Sequence, residues 1–359
     1  LKPAGQVVAA TDIRVAKEVA RLIYEKHKLT NAEFVDTVKD LIDQYSTWVD
    51  ERYPSSSNQP AEIKRALEAL RPFYNTSAEQ FGPLNLRQVR QNMIETGKYA
   101  RETINRKVQC IRKMFEWAAS WQKLPVTVSY QLNTVKQLEP GEHKVREYKT
   151  VKPVAFEHVN AVLPHCTRVL RTMIMVQLLT AMRSGELVIM RPCDIDTSKD
   201  NWIYKPSKHK TQWRGHERII VIGSQAQDLL LEFMARNKTD YLFSPQESEA
   251  ERRQKEIDYS WENAPGARYT PNTYRQAIQR MIDRLNEDED RKEKIPRWSP
   301  HQLRHARATM IREAFGDEGL QVVQAALGQH SFQVAEHYAK VRLNLAQKAA
   351  NLQIKFRSD

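Results

Sequence analysis

Between positions 34 and 48 the apolar residues Phe34, Val38, Leu41, Ile42, Tyr45 and Trp48 recur every three to four places, the spacing that gathers side chains on one face of an α-helix. The pattern predicts a first long helix from about Asn31, with Thr30 or Asn31 as its cap. A Pro/Ser/Asn stretch from Tyr53 to Pro60 breaks it, and Ala61, Ala66, Leu67, Leu70 and Phe73 mark a second helix. A third follows Pro83. In the fourth, Ile104, Val108, Ile111 and Phe115 form one apolar stripe, while Arg101, Arg106, Lys107, Arg112 and Lys113 take other faces. One side can pack and the other can touch phosphate; a solvated basic face is the alternative.

From Glu139 to Pro153 the periodicity lapses into mixed charges around Pro140 and Gly141, the composition of an interdomain linker. A helical run from Val169 to Thr180 follows. Then come two β-like stretches, Trp202 to Tyr204 and Arg218 to Ile222, joined by a Lys/Arg-rich turn. Pro245 to Arg268 is polar and broken by Pro265 and Gly266, so it reads as a long surface insertion; helices resume near Tyr274 and after Pro300. The expectation is a mainly helical protein with a small sheet in its second domain. Its parts are an N-terminal segment (1–30), a helical domain (31–139), a linker (140–153), a second domain (154–350) and a tail (351–359).

Charge sharpens the picture. The 359 residues carry a formal net charge of +12 with 41% hydrophobic residues, a folding chain that meets a polyanion, nucleic acid first among them. Cys110, Cys166 and Cys193 are odd in number and far apart, which suggests neither a disulfide framework nor a metal site. The most apolar stretch, Met173 to Met182, is interrupted by Gln177 and falls short of the roughly 20 residues of a membrane span. No signal peptide is legible. The expectations are a cytoplasmic protein on the prokaryotic nucleoid, with no cofactor, no metal and no membrane.

The candidate chemistry lies in separated clusters. Arg183 stands in Ala-Met-Arg-Ser-Gly-Glu-Leu, His301 and Arg304 in His-Gln-Leu-Arg-His, and Tyr338 ten residues after Gly328. Lys210 stands in the turn between the two β-like stretches, crowded by Lys208, His209, Arg214 and His216. In this order the clusters resemble the tyrosine recombinase (phage integrase) family, and the helical first part resembles its core-binding domain.

The resemblance implies a two-domain DNA clamp that encircles duplex DNA, cutting and rejoining it through a 3′-phosphotyrosine. Tyr338 would be the nucleophile, Arg183 and Arg304 the clamp on the scissile phosphate, and Lys210 the acid for the 5′-oxygen. His301 would donate to the phosphate or exchange a proton with the tyrosine. Arginine suits this because it offers permanent, planar, bidentate charge, and a tyrosyl ester stores the bond energy for religation. Glu186 and His305 read as supporting residues. Relatives commonly have His or Trp after the Leu-Gly pair; here Gln329 occupies that place, with His330 one position later, so that either Gln329 takes over that hydrogen bond or a local shift presents His330. Phosphate contacts are assigned to Arg101, Arg106, Lys107, Arg112, Lys113, Lys208 and Arg214. The implied partners are double-stranded DNA and a homotetramer formed on it from monomers or dimers, with the segment beyond Tyr338 packing on a neighbouring protomer and an accessory directionality factor left open. A phage or other mobile element is the implied source. The rival readings are a type IB topoisomerase and a DNA-binding relative that has lost catalysis.

Overall fold

The structure is a computed structural model that describes residues 35–55, 57–208, 217–255, 265–289, 291, 293–328 and 337–356; the side chains of residues 255 and 337–342 lie outside that description. The N-terminal segment 1–30, and with it Thr30, as well as Asn31 and Phe34, also lie outside the described residues. The chain divides into two compact units, Leu1–Thr150 and Val151–Asp359.

The first unit is helical: α1 (Val38–Arg52), α2 (Gln59–Leu67), α3 (Pro83–Glu95), α4 (Arg101–Ser120) and α5 (Val126–Asn133). The first helix starts later than its apolar pattern predicts. Thr37 and Asp40 form a reciprocal cap, with the Asp40 N–H donating to Thr37 Oγ1 at 3.1 Å and the Thr37 N–H to Asp40 Oδ2 at 3.0 Å. Those bonds satisfy the free amides of the first turn at Val38 rather than at Asn31. The second helix is also shorter, because Pro72 has no N–H to continue the α pattern and the chain tightens into a 3₁₀ turn over Glu68–Phe73. The α4 stripe is buried, and Phe115 stacks on Phe81 at 5.1 Å between ring centroids. Burying a ring of that size contributes about 1.5–3 kcal/mol.

The second unit begins with α6 (Phe156–Val162), α7 (Arg168–Thr180) and the short α8 (Ser184–Leu187). A three-stranded antiparallel sheet follows, β1 (Ile195–Asp196), β2 (Trp202–Tyr204) and β3 (Ile220–Ile222), in the register Ile195↔Tyr204 and Ile203↔Val221. At two residues, β1 is too short to leave a period in the sequence. Then come α9 (Ser224–Met234), α10 (Pro245–Lys255), α11 (Pro271–Glu287), α12 (Pro300–Phe315), α13 (Gly319–Leu327) and α14 (His337–Asn351). Helix α7 is buried nearly all round; its Gln177 is fully covered and donates to the Met182 carbonyl at 3.2 Å. No described helix is long and apolar enough to cross a membrane.

One expectation is corrected here. The segment from Pro245 is not an irregular insertion throughout: Pro245–Lys255 is helical, and residues 256–264 lie outside the described residues. Polar contacts dock this helix, which is why hydrophobic periodicity missed it. Ser248 is buried between the hydroxyls of Thr167 (3.0 Å) and Tyr269 (2.8 Å), and Arg236 grips Glu247 with two nitrogens. The described end of the segment after Tyr338 is tied to its own unit. Gln225 exchanges two hydrogen bonds with the Ile354 backbone (2.8 and 2.9 Å), and the buried Ala349 and Ile354 join the apolar interior.

Candidate active site

Helix α7 ends at Ala181, which holds φ at +54°, a left-handed conformation that costs a non-glycine about 1–2 kcal/mol. That turn delivers Arg183 to the N-cap of α8. Glu186 then closes the first turn, its Oε2 accepting the Arg183 N–H and its Oε1 the Arg183 guanidinium, both at 2.8 Å. The Arg183 side chain keeps 31% exposure, whereas that of Glu186 keeps 3%.

Arg304 reaches this turn from α12. Its Nη1 donates to the Ala181 carbonyl at 2.5 Å and its Nη2 to the Leu327 carbonyl at 2.8 Å, at the last residue of α13. Burial first, then the neighbouring Arg183 and Arg218, push its pKa down to about 10, which leaves it charged at neutral pH. The two arginines assigned to the phosphate therefore meet at one turn, Arg183 on its buried carboxylate and Arg304 on its Ala181 carbonyl.

A third arginine completes the group. Arg218, just before β3, is buried and donates Nε to Glu186 Oε1 at 3.2 Å. Burial pushes its pKa down from the usual arginine value, and Glu186 opposes that. The Glu186 carboxyl is pushed up by burial, but Arg218 and both the backbone N–H and guanidinium of Arg183 outweigh it and hold the group below the usual range. The Tyr204 hydroxyl donates to the Glu186 carbonyl at 2.7 Å and fixes the same turn to the sheet. Sequence reasoning did not single out Arg218. Its one signal is position, a lone cation at the head of the apolar run Ile219 to Ile222, whose last three residues form a fully buried strand.

Arg307 was also missed. It sits on the inward face of α12 between Leu303 and Ile311, where a core residue belongs, and its Nη2 donates to the Ala349 and Leu352 carbonyls, both at 2.6 Å. It ties the helix of Arg304 to the end of α14.

His301 lies exposed in the first turn of α12, and the half-buried His305 meets it edge to face at 4.6 Å. Lys208 is exposed beyond β2, and Lys205 pairs with Glu217 at 2.6 Å across the base of that turn. Lys210 and Arg214, with His209 and His216, lie outside the described residues, as do Gln329 and His330. Tyr338 belongs to α14, with its side chain outside the description.

On the first unit, Arg106 and Lys113 are exposed on α4. The other three cations of that helix are engaged within the unit. Arg101 binds Glu147 at 2.6 Å, Lys107 donates to the Arg65 carbonyl at 2.7 Å and lies over the Tyr99 ring, and Arg112 donates to Asn133. A groove of about 790 Å³ lined by Arg65, Arg106, Lys107 and Lys113 runs between α2 and α4. It belongs to this unit and not to the arginine cluster.

The cluster can receive an anion: three guanidiniums against one carboxylate (3 − 1) leave two positive charges, and Arg183 is its solvent-reaching member.

The model of the phage integrase family matches residues 154–344. Among solved structures, a lambda integrase dimer bound to a COC′ core site is similar with a TM-score of 0.56 and 14% identity, covering 84% of this chain and 99% of that one. The Tn1549 transposon integrase in complex with a circular intermediate DNA gives 0.60 and 15%, covering 86% and 94%. A lambda integrase tetramer bound to a Holliday junction gives 0.58 and 14%, covering 94% of each. These likenesses establish the shared fold. No curated protein matches the chain in sequence.

Proposed function

The chain belongs to the phage integrase family, and from that premise we propose that it is a site-specific DNA recombinase of a phage or other mobile element. It cuts and rejoins duplex DNA through a 3′-phosphotyrosine on Tyr338. The observation that carries this reading is the meeting of Arg183 and Arg304 at one turn, Arg183 on buried Glu186 and Arg304 on the Ala181 carbonyl, with Arg304 also bonded to the helix end that leads toward Tyr338.

In the proposed reaction the Tyr338 oxygen attacks the scissile phosphorus and gives up its proton, with His301 assigned to exchange it. Arg183 and Arg304 donate to the non-bridging oxygens as their charge grows, the interaction that lowers the barrier most. The P–O5′ bond breaks, and the leaving 5′-oxygen takes a proton from Lys210. Gln329 takes the second-histidine position and supplies one amide hydrogen bond without imidazole's charge. A 5′-hydroxyl from the partner strand then reverses these steps, so no external energy source is needed.

The proposed partners are double-stranded DNA and further copies of this chain, assembled as a tetramer on two sites; the similar integrases were solved as a dimer and a tetramer on DNA. The phosphate contacts on the first unit are assigned above all to Arg106 and Lys113, the exposed cations of α4. On this reading the protein works on the cytoplasmic nucleoid.

A nicked suicide substrate carrying the element's end sequence tests the reading. Wild-type protein should form a protein–DNA adduct that survives denaturation, and Tyr338→Phe should form none while still binding DNA. An adduct in the Tyr338→Phe protein removes that tyrosine from the mechanism. Relaxation of supercoils without exchange between two sites favours a topoisomerase instead.

A further inference from the structure

We propose that Arg218 is a positioning residue for DNA cleavage, neutralising Glu186 so that Arg183 stays free to bind phosphate, and packing on Gly328 at the start of the segment that leads to Tyr338. This rests on the recombinase reading and adds to it a residue that touches no reacting atom.

The geometry carries the argument. One carboxylate oxygen, Glu186 Oε1, is shared by Arg183 at 2.8 Å and Arg218 at 3.2 Å. A buried carboxylate holding a single guanidinium would pair with it fully, and Arg183 would lose its pull on a substrate anion. With Arg218 present, the pair Glu186 and Arg218 is neutral, and Arg183 and Arg304 keep the two positive charges of the cluster. A phosphodiester carries one negative charge, and a second develops in the transition state, so that balance matches the charge to be stabilised.

The other side of Arg218 meets the backbone. Gly328 sits at φ +60°, and a Cβ there would lie 2.8 Å from the Arg218 Cζ. The guanidinium therefore uses the space that glycine leaves open. Its Nη2 is buried and has no hydrogen-bond partner among the described residues. Such a group is tolerated where position rather than stability is its task. Arg218 thus touches the turn of Arg183, the strand that follows the turn of Lys210, and the glycine after α13.

Single-turnover cleavage of the nicked suicide substrate, measured beside DNA affinity, tests this. Arg218→Met should slow cleavage by about 10–100-fold, the scale of losing a partner that orients a working group, with DNA affinity little changed when both are measured below the variant's lowered melting temperature. Arg218→Lys should recover most of the rate. The decisive variant is Arg218→Met combined with Glu186→Gln. Removing the carboxylate restores two positive charges (Arg183 and Arg304), so cleavage should rise at least about threefold over Arg218→Met alone. A packing role for Arg218 predicts no such rescue. Wild-type rates in Arg218→Met, or a double variant no faster than the single one, overturn the proposal while the recombinase reading stands. Absence of an adduct with wild-type protein overturns both.

Discussion

The Arg304 guanidinium donates to the Leu327 carbonyl across 2.8 Å, which sets the arginine against the negative end of α13. With its other terminal nitrogen on Ala181, Arg304 joins the turn of Arg183 to the helix end that precedes Gly328. A lysine has the charge but no planar fork to span both carbonyls. Arg304→Lys should therefore lower single-turnover cleavage by about 10²-fold or more, the scale of a missing transition-state donor, while DNA affinity changes far less. Cleavage at the wild-type rate would make Arg304 a structural brace only.

Gly328 faces two constraints, its left-handed φ of +60° and the guanidinium of Arg218 against it. Gly328→Ala should lower stability by about 1–2 kcal/mol from the backbone alone, and more because the buried Arg218 has little room to retreat. Melting curves of Gly328→Ala with and without Arg218→Ala separate the two. A smaller loss in the double variant than in the sum of the singles identifies the contact, and strict additivity excludes it.

Glu186 gives a pH dependence of known sign. Its folded pKa lies below the ordinary 4.5, because Arg218 and Arg183 outweigh burial. A depressed acid contributes stability that is fully present above its unfolded pKa and is lost as pH falls through the folded one. Glu186→Gln should thus melt lower than wild type at pH 7, with the gap narrowing as pH falls below about 4.5. A gap of constant size from pH 7 to pH 3 would contradict the ion pairs.

Arg106 and Lys113 are exposed on α4, whereas Lys107 and Arg112 are bound within the unit. Replacing Arg106 and Lys113 together with alanine should reduce the slope of log affinity against log salt by about 2, close to one for each phosphate no longer neutralised. The weakening should be similar for target and unrelated DNA. An unchanged slope would place the phosphate-binding cations elsewhere on the protein.

Much of the architecture was legible in the chain. The stripe Ile104, Val108, Ile111 and Phe115 is buried as its spacing predicts, because the helical period alone decides which side chains share a face. Trp202 to Tyr204 and Ile220 to Ile222 pair as strands, the second buried at all three positions, as a short continuous apolar run of β-branched residues allows. Local spacing failed where polar contacts set the boundary. The cap at Thr37 and the docking of Ser248 between Thr167 and Tyr269 both rest on hydrogen bonds that leave no apolar period.

By itself the sequence determined the order of the clusters around Arg183, His301, Arg304 and Tyr338, and with it the family. Residue type alone names the chemistry: guanidinium for phosphate, phenol for the ester. Only the tertiary structure decided that Arg218 shares the carboxylate of Glu186, that Arg307 holds Ala349 and Leu352, and that the segment after Tyr338 returns to Gln225 of its own unit. Each of these joins residues far apart in the chain, and a buried charge reveals its partner only once packing has removed the water that would otherwise solvate it.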